Sequence, residues 1–220
     1  PRFGKVFTME LAYSDSFLKA LDSMDPALKD IVKVKMFDLQ TNPRTPGFNL
    51  EKLGGGGLYS GRLNDNLRLI MDIDGEQTVV LYVDNHDDAY RWAAKHRLEV
   101  NQATGSLQLV DIETVREQVT LTEQVYVQAK LFEQYDDEYL LALGVPESYL
   151  LPVKNATKEH LEWLLDRLPS EVMERLFQLE DGILVSIPRR HEGSPLDHPD
   201  AKRHFVTVKA TDELTRALEF

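Results

Sequence analysis

The 220-residue chain contains no cysteine. Disulfide staples, thiolate zinc sites and cysteine nucleophiles are therefore excluded, and the absence fits a reducing, cytoplasmic setting. Long apolar runs are missing too. Nothing approaches the roughly 18–20 residues that a membrane-crossing helix requires, so a soluble globular protein with no membrane partner is expected. No GxxxxGK[ST] phosphate loop and no Gly-x-Ser-x-Gly elbow occurs, which removes P-loop motors and hydrolase elbows from these residues. Pro1-Arg2-Phe3-Gly4-Lys5 lacks the apolar segment of a secretory leader. Neither a cofactor nor a metal is expected. His160, His191, His198 and His204 follow no repeat spacing and read as solvated loop residues.

Positive charge is scarce as well: 25 Lys and Arg stand against 37 Asp and Glu, a net charge of −12. Residues 1–100 carry 13 basic and 15 acidic side chains, whereas residues 101–220 carry 12 and 22. Phosphate binding needs Lys or Arg to neutralise it. Any contact with single-stranded nucleic acid is therefore expected from residues 1–100, and the acidic second half repels polyanions.

Hydrophobic period supplies the organisation. Lys5 to Leu11 alternate as a first strand ending before Ser14-Asp15. Phe17, Leu18 and Leu21 stripe one helix. Asp25-Pro26 opens a second, carrying Leu28, Ile31, Val32, Met36 and Leu39 and stopped by Thr41-Asn42-Pro43. From Leu58 the period becomes two: Leu58–Leu63, Leu67–Asp74 and Thr78–Asp84 read as three strands joined at Asp65-Asn66 and Asp74-Gly75, a natural antiparallel meander. A short helix at Asp87–His96 closes the unit. The run Gly54-Gly55-Gly56-Gly57 leads into a strand with no Lys-Ser/Thr after it, so it reads as a turn and not a phosphate cradle.

Beyond residue 100, Leu107–Val110 and the stretch around Val125-Tyr126-Val127 are candidate strands. Helices dominate afterwards, ending at Gly144-Val145-Pro146, restarting at Thr157 and Pro169, and halted by Gly182. Ile183–Ile187 and His204–Lys209 read as a terminal β-hairpin. The proline-rich connector Pro188–Arg203 between them is expected to be mobile. Thr211–Phe220 reads as the start of another helix, as though the chain continued. The expected class is α+β: an antiparallel sheet with two packed helices over residues 1–100, then an acidic, mainly helical domain over 101–220 ending in a hairpin.

The run Leu58-Tyr-Ser-Gly-Arg-Leu-Asn-Asp-Asn-Leu-Arg-Leu-Ile-Met-Asp-Ile-Asp74, with Val79–Val83 and Asn85-His-Asp-Asp-Ala-Tyr-Arg-Trp92, resembles the RelE/ParE toxin-like superfamily. The resemblance covers roughly residues 3–97 and implies the order strand, helix, helix, strand, strand, strand. It also implies an arginine on each of two adjacent strands and a His then a Tyr near the end. His86–Ala93, with Leu141–Pro146 and Leu168-Pro169, is further similar to the amino-terminal region of UvrD/Rep-like DNA helicases. That similarity implies a non-catalytic accessory region acting in DNA repair, with the motor domain as a partner in cis.

On the toxin resemblance, Arg62 and Arg68 would stabilise charge in an RNA-cleaving relative, with His86 and Tyr90 as base or acid. Such a chain would be an mRNA endoribonuclease with a fused inhibitory segment. Lys52, Arg62, Arg68 and Arg91 would be the nucleic-acid-binding cations. The plainer reading pairs Arg62 and Arg68 with Asp65, Asp72 or Asp74, worth only ~0–1 kcal/mol per pair. Asp84, Asp87 and Asp88 around His86 repel a phosphate and argue against cleavage. A third reading is an adaptor whose hydrophobic groove takes a partner helix, supplied in cis by the helices near Leu131–Leu143.

Overall fold

A computed structural model of the chain describes residues 10–41, 46–54, 57–75, 77–113 and 129–208. The possible strand at Val125–Val127, the helix at Thr211–Phe220 and the start of the first strand lie outside these. The described residues form two compact units, one reaching Ala94 and resuming at Lys202, the other Lys95–Ala201.

In the first unit, strand β1 (Glu10–Ser14) runs three residues beyond the expected Leu11. Ser14 ends it by accepting a hydrogen bond from Phe17 N–H, which caps helix α1 (Asp15–Ser23). Helix α2 (Pro26–Thr41) follows. Strands β2 (Glu51–Lys52), β3 (Tyr59–Arg62), β4 (Leu67–Asp74) and β5 (Gln77–Asn85) come next, and helix α3 (His86–Lys95) closes the run. Apart from the short β2, this is the strand and helix order that the toxin-like resemblance implies.

The sheet has the order β2-β3-β4-β5-β1-β8, where β8 is Phe205–Val208. All its neighbours are antiparallel except β1 and β5, whose two connecting helices allow a parallel pairing. The alternation of β4 sends Leu67, Leu69 and Met71 to one face, where they join Phe17, Leu21, Val32, Met36 and Leu39 of the two helices in one buried core. A bulge breaks the register of β4 with β5 between Ile70 and Met71 and leaves Leu81 without a cross-strand partner. Its carbonyl accepts hydrogen bonds from both Ser14 Oγ and Ser16 Oγ at 2.8 Å.

The terminal hairpin needs correction. Its second strand exists, but β8 pairs with β1, Leu11 opposite Val208, while Ile183–Ile187 form no strand. Alternation marks a segment as a strand without saying which edge it joins.

The second unit begins with a hairpin of β6 (His96–Val100) and β7 (Leu107–Asp111). Among the described residues it continues with helices α4 (Asp137–Ala142), α5 (Leu150–Lys154), α6 (Lys158–Leu165) and α7 (Ser170–Glu180). They share a core around Phe132, Leu140, Tyr149, Leu164 and Leu176. His160 is a helix residue here, its Nδ1 accepting from Thr157 N–H at 3.4 Å.

The connector 188–203 is docked, contrary to the mobility expected of it. His191 N–H donates to Thr104 O at 2.9 Å, and Leu196, His198 and Ala201 are buried. Asp200 takes two hydrogen bonds from Arg175 Nη2, at 3.2 and 3.0 Å, while Arg175 Nη1 donates to Leu143 O at 2.9 Å. His198 Nδ1 accepts from Asp200 N–H at 3.0 Å, and its ring meets His191 edge-on.

Burial holds the His198 imidazole below its ordinary value of 6.5, aided by His191 and Arg175 and opposed by Asp200 and Glu171. The unfolded chain therefore takes up a proton before the folded one does. Stability is full above pH 6.5 and is lost as pH falls below it, until the folded state also protonates. Urea midpoints measured between about pH 7.5 and about pH 5.5 should fall with acidity. His198→Asn, which keeps an acceptor for Asp200 N–H, should flatten that slope.

Candidate nucleic-acid interface

The face of the first sheet opposite α1 and α2 carries the candidate residues. Arg62 on β3 lies directly across from Arg68 on β4, which lies across from Asp84 on β5. Two residues along, Glu51, Ser60, Ile70 and Tyr82 form the next row on the same face. Like charges placed opposite each other cost a few tenths to ~1 kcal/mol, so each guanidinium needs local acceptors. The β3–β4 turn supplies them. Arg62 Nε donates to Asn64 O at 3.3 Å and its Nη2 pairs with the Asp65 carboxylate. Arg68 Nη1 donates to Asn64 O and Leu67 O, each at 3.0 Å. The turn is fixed by Asn64 Oδ1, which accepts from Asn66 N–H and Leu67 N–H.

Helix α3 lies over this face. Trp92 stacks on Tyr82 at 4.7 Å, and Tyr90 Oη donates to Glu51 of β2 at 2.6 Å. His86 N–H donates to Asn66 O at 2.8 Å, which ties the helix start to the arginine turn. The His86 ring stacks on Tyr90 at 4.4 Å, and its Nδ1 lies 2.8 Å from the Asp87 carboxylate.

The electrostatics around this strip are mixed. Burial, with Asp84 accepting from its hydroxyl and Asp88 nearby, pushes Tyr82 up to about 12. A hydrogen bond from Asn85 holds Asp88 below its usual range, helped by Arg91. Asp72, two positions from Ile70, is raised by burial and by neighbouring Asp74.

Arg62, Arg68, His86 and Tyr90 thus occur on one side of the sheet, the first two on strands and the others on α3. Lys52 does not join them: it is across from Tyr59, on the opposite face, with its ammonium 5.8 Å from that ring. Arg91 is exposed and paired with Asp88 one turn away on α3. The residue missed in the sequence is Glu51. Its bond to Tyr90 spans 39 positions, and no local pattern marks it. Among the described residues no three His, Asp or Glu side chains are placed to hold a metal, and no helix is long and apolar enough to cross a membrane.

No protein-family model and no curated protein matches the sequence. Solved structures do match, over part of it. The RelB–RelE antitoxin–toxin complex of Methanococcus jannaschii aligns with a TM-score of 0.32 at 16% identity, over 36% of this chain and 95% of that one. The likeness stops at about a third of the sequence. The toxin–antitoxin complex RelBE2 of Mycobacterium tuberculosis aligns at 0.31 and 23% identity, covering 36% and 99%. The RelE–RelB complex of Pyrococcus horikoshii OT3 aligns at 0.31 and 25% identity, covering 36% and 94%.

Proposed function

We propose that the first unit binds the backbone of a single-stranded nucleic acid on the Arg62–Arg68 strip, with unstacked bases resting against the His86–Tyr90 pair. The opposed arginines carry the reading. Two guanidiniums from facing positions of adjacent strands offer forked donors to phosphate oxygens. An aromatic stack beside a cationic strip is the combination that holds single strands without sequence preference. Asp65, Asp84, Asp87 and Asp88 surround the strip and weaken it, so binding is modest and sensitive to salt.

Titrating the full chain with a labelled single-stranded RNA and DNA at several salt concentrations tests this. Arg62→Ala with Arg68→Ala should weaken binding at least ~10-fold, a loss near 1.4 kcal/mol. The same change should lower the salt slope by about 1.4, at roughly 0.7 per phosphate contact for a single strand. A titration that stays flat at low salt, or an unchanged slope in the double variant, removes the proposal.

A ribonuclease reading rests on a different observation, the chain from Asp87 to His86 to Tyr90 to Glu51. Asp87 at Nδ1 leaves Nε2 of His86 to take the proton of a 2′-hydroxyl as it attacks the adjacent phosphate. The products are a 2′,3′-cyclic phosphate and a 5′-hydroxyl that takes a proton from an acid such as Tyr90. The same full-chain samples decide this. Intact RNA after prolonged incubation eliminates cleavage, whereas cutting abolished by His86→Ala establishes it. The helicase accessory role rests on the resemblance at His86–Ala93 and Leu141–Pro146. Its expected mark is a GxxxxGK[ST] loop encoded downstream of Phe220.

A further inference from the structure

After α7 ends, the second unit continues through an apolar segment that lies largely at its surface. Residues 183–190 contain no helix, turn or bend. Ile183 is 54% exposed, Leu184 85% and Ile187 55%, while Val185 between them is 9% exposed and packed in the core. In a strand, the N–H and C=O of one residue point to the same side, and the next residue's point to the other. Ile183 N–H donates inward to Gln178 O, and Val185 O accepts inward from Tyr139 Oη. Strand geometry applied to this segment puts the odd positions on the inner side and leaves the backbone groups of Leu184 and Ser186 for the outer one. Among the described residues neither of these two has a backbone partner.

The sequence around this edge is complementary to its own reverse. Glu180-Asp181 precede the apolar run and Arg189-Arg190 follow it, with Asp181, Arg189 and Arg190 all exposed. Antiparallel pairing centred on Val185 sets Leu184 of one copy against Ser186 of the other, and Ile183 against Ile187. It also brings the acidic end of each strand beside the basic end of its mate. Parallel pairing would put like charges together at both ends. The centred register also makes Leu184 and Ser186 the hydrogen-bonded pair, as their outward direction requires, and Val185 the pair without hydrogen bonds.

We propose that two copies of this chain associate through residues 183–187 as antiparallel strands related by a twofold axis at Val185. The interface is isologous and works by strand addition. Symmetry gives two exchanged pairs of backbone hydrogen bonds, between Leu184 and Ser186 in each direction, flanked by the two Ile183–Ile187 contacts. Pro188 has no N–H, which ends the ladder at that point. A ladder this short buries less than the ~1,200 Å² of a standard stable complex, so the association is weak and reversible.

Sedimentation equilibrium of the full chain tests it. The expected behaviour is a monomer–dimer equilibrium with a dissociation constant in roughly the micromolar to millimolar range. Ser186→Pro deletes an outward N–H from each copy and should weaken the dimer at least ~10-fold. Asp181→Lys and Arg189→Asp should each weaken it several-fold, and combining the two should restore it, because each reversed charge then meets the other. These exposed substitutions leave the core untouched and keep the test informative if proline disturbs the local fold. A chain that stays monomeric up to roughly 1 mM overturns the proposal, whether or not it captures some other peptide. A dimer indifferent to Ser186→Pro overturns it too, and so does a charge swap that fails to restore association.

Discussion

Gly105→Ala is expected to destabilise the second unit by about 3 kcal/mol, read as a lower urea midpoint with an unchanged slope. Gly105 sits at φ +78° in the β6–β7 turn, and a Cβ built there falls 2.6 Å from the carbonyl oxygen of His191. The left-handed backbone alone costs an alanine roughly 1–2 kcal/mol. Relief of the clash must come from backbone, since the obstacle is a carbonyl. Moving it strains the bond from His191 N–H to Thr104 O, a net contribution of about 1 kcal/mol. Gly75→Ala is the control. That glycine has φ +60° but open space at its Cβ, so only the backbone cost of roughly 1–2 kcal/mol should appear. Equal losses at the two sites would show that His191 does not press on the turn.

Arg175→Ala should cost a similar amount, about 3 kcal/mol, at the low end for a buried ion pair. The Arg175 and Asp200 side chains are 19% and 14% exposed, so water relieves part of the penalty. Removing the arginine strands the Asp200 carboxylate and frees the Leu143 carbonyl at the end of α4. Arg175→Met combined with Asp200→Leu should lose less than Arg175→Ala alone, because neither variant side chain then leaves an unpaired charge. Thermal unfolding of the three proteins measures this. A double variant as unstable as the sum of its parts would mean that the two residues act independently.

Much of the first unit was legible. The period-two pattern of Leu67, Leu69 and Met71 identified β4 and its inward face because both follow from geometry within one strand. The helices at Phe17–Leu21 and Pro26–Leu39 were legible through their caps and stripes. The α+β class followed from that order. Pairing partners were less accessible: β8 was read as a strand but given the wrong neighbour, since its apolar alternation suits any edge. β6 was missed because His96-Arg97-Leu98-Glu99-Val100 continues the charged pattern of α3. The connector 188–203 looked unstructured because its anchors are polar and distant, Thr104 and Arg175 among them. At the candidate interface, Arg62, Arg68, His86 and Tyr90 came from the family resemblance, whereas the pairing of Arg62 with Asp65 was legible from their closeness in the chain. The separation of Lys52 from the arginines follows from strand parity, but only once β2 is known to pair with β3.

The β1–β8 pairing also governs how this protein can be made and cut. Leu11 meets Val208, so β1 waits for a strand translated much later, and its open backbone is exposed to passing chains while the ribosome adds the intervening residues. Closing so long a span is slow, because chain entropy must be lost before the pairing repays it. A truncated product ending after α3 would leave Leu11–Ser14 bare along that border, a ready template for aggregation. Assays on the first unit should therefore keep β8 attached.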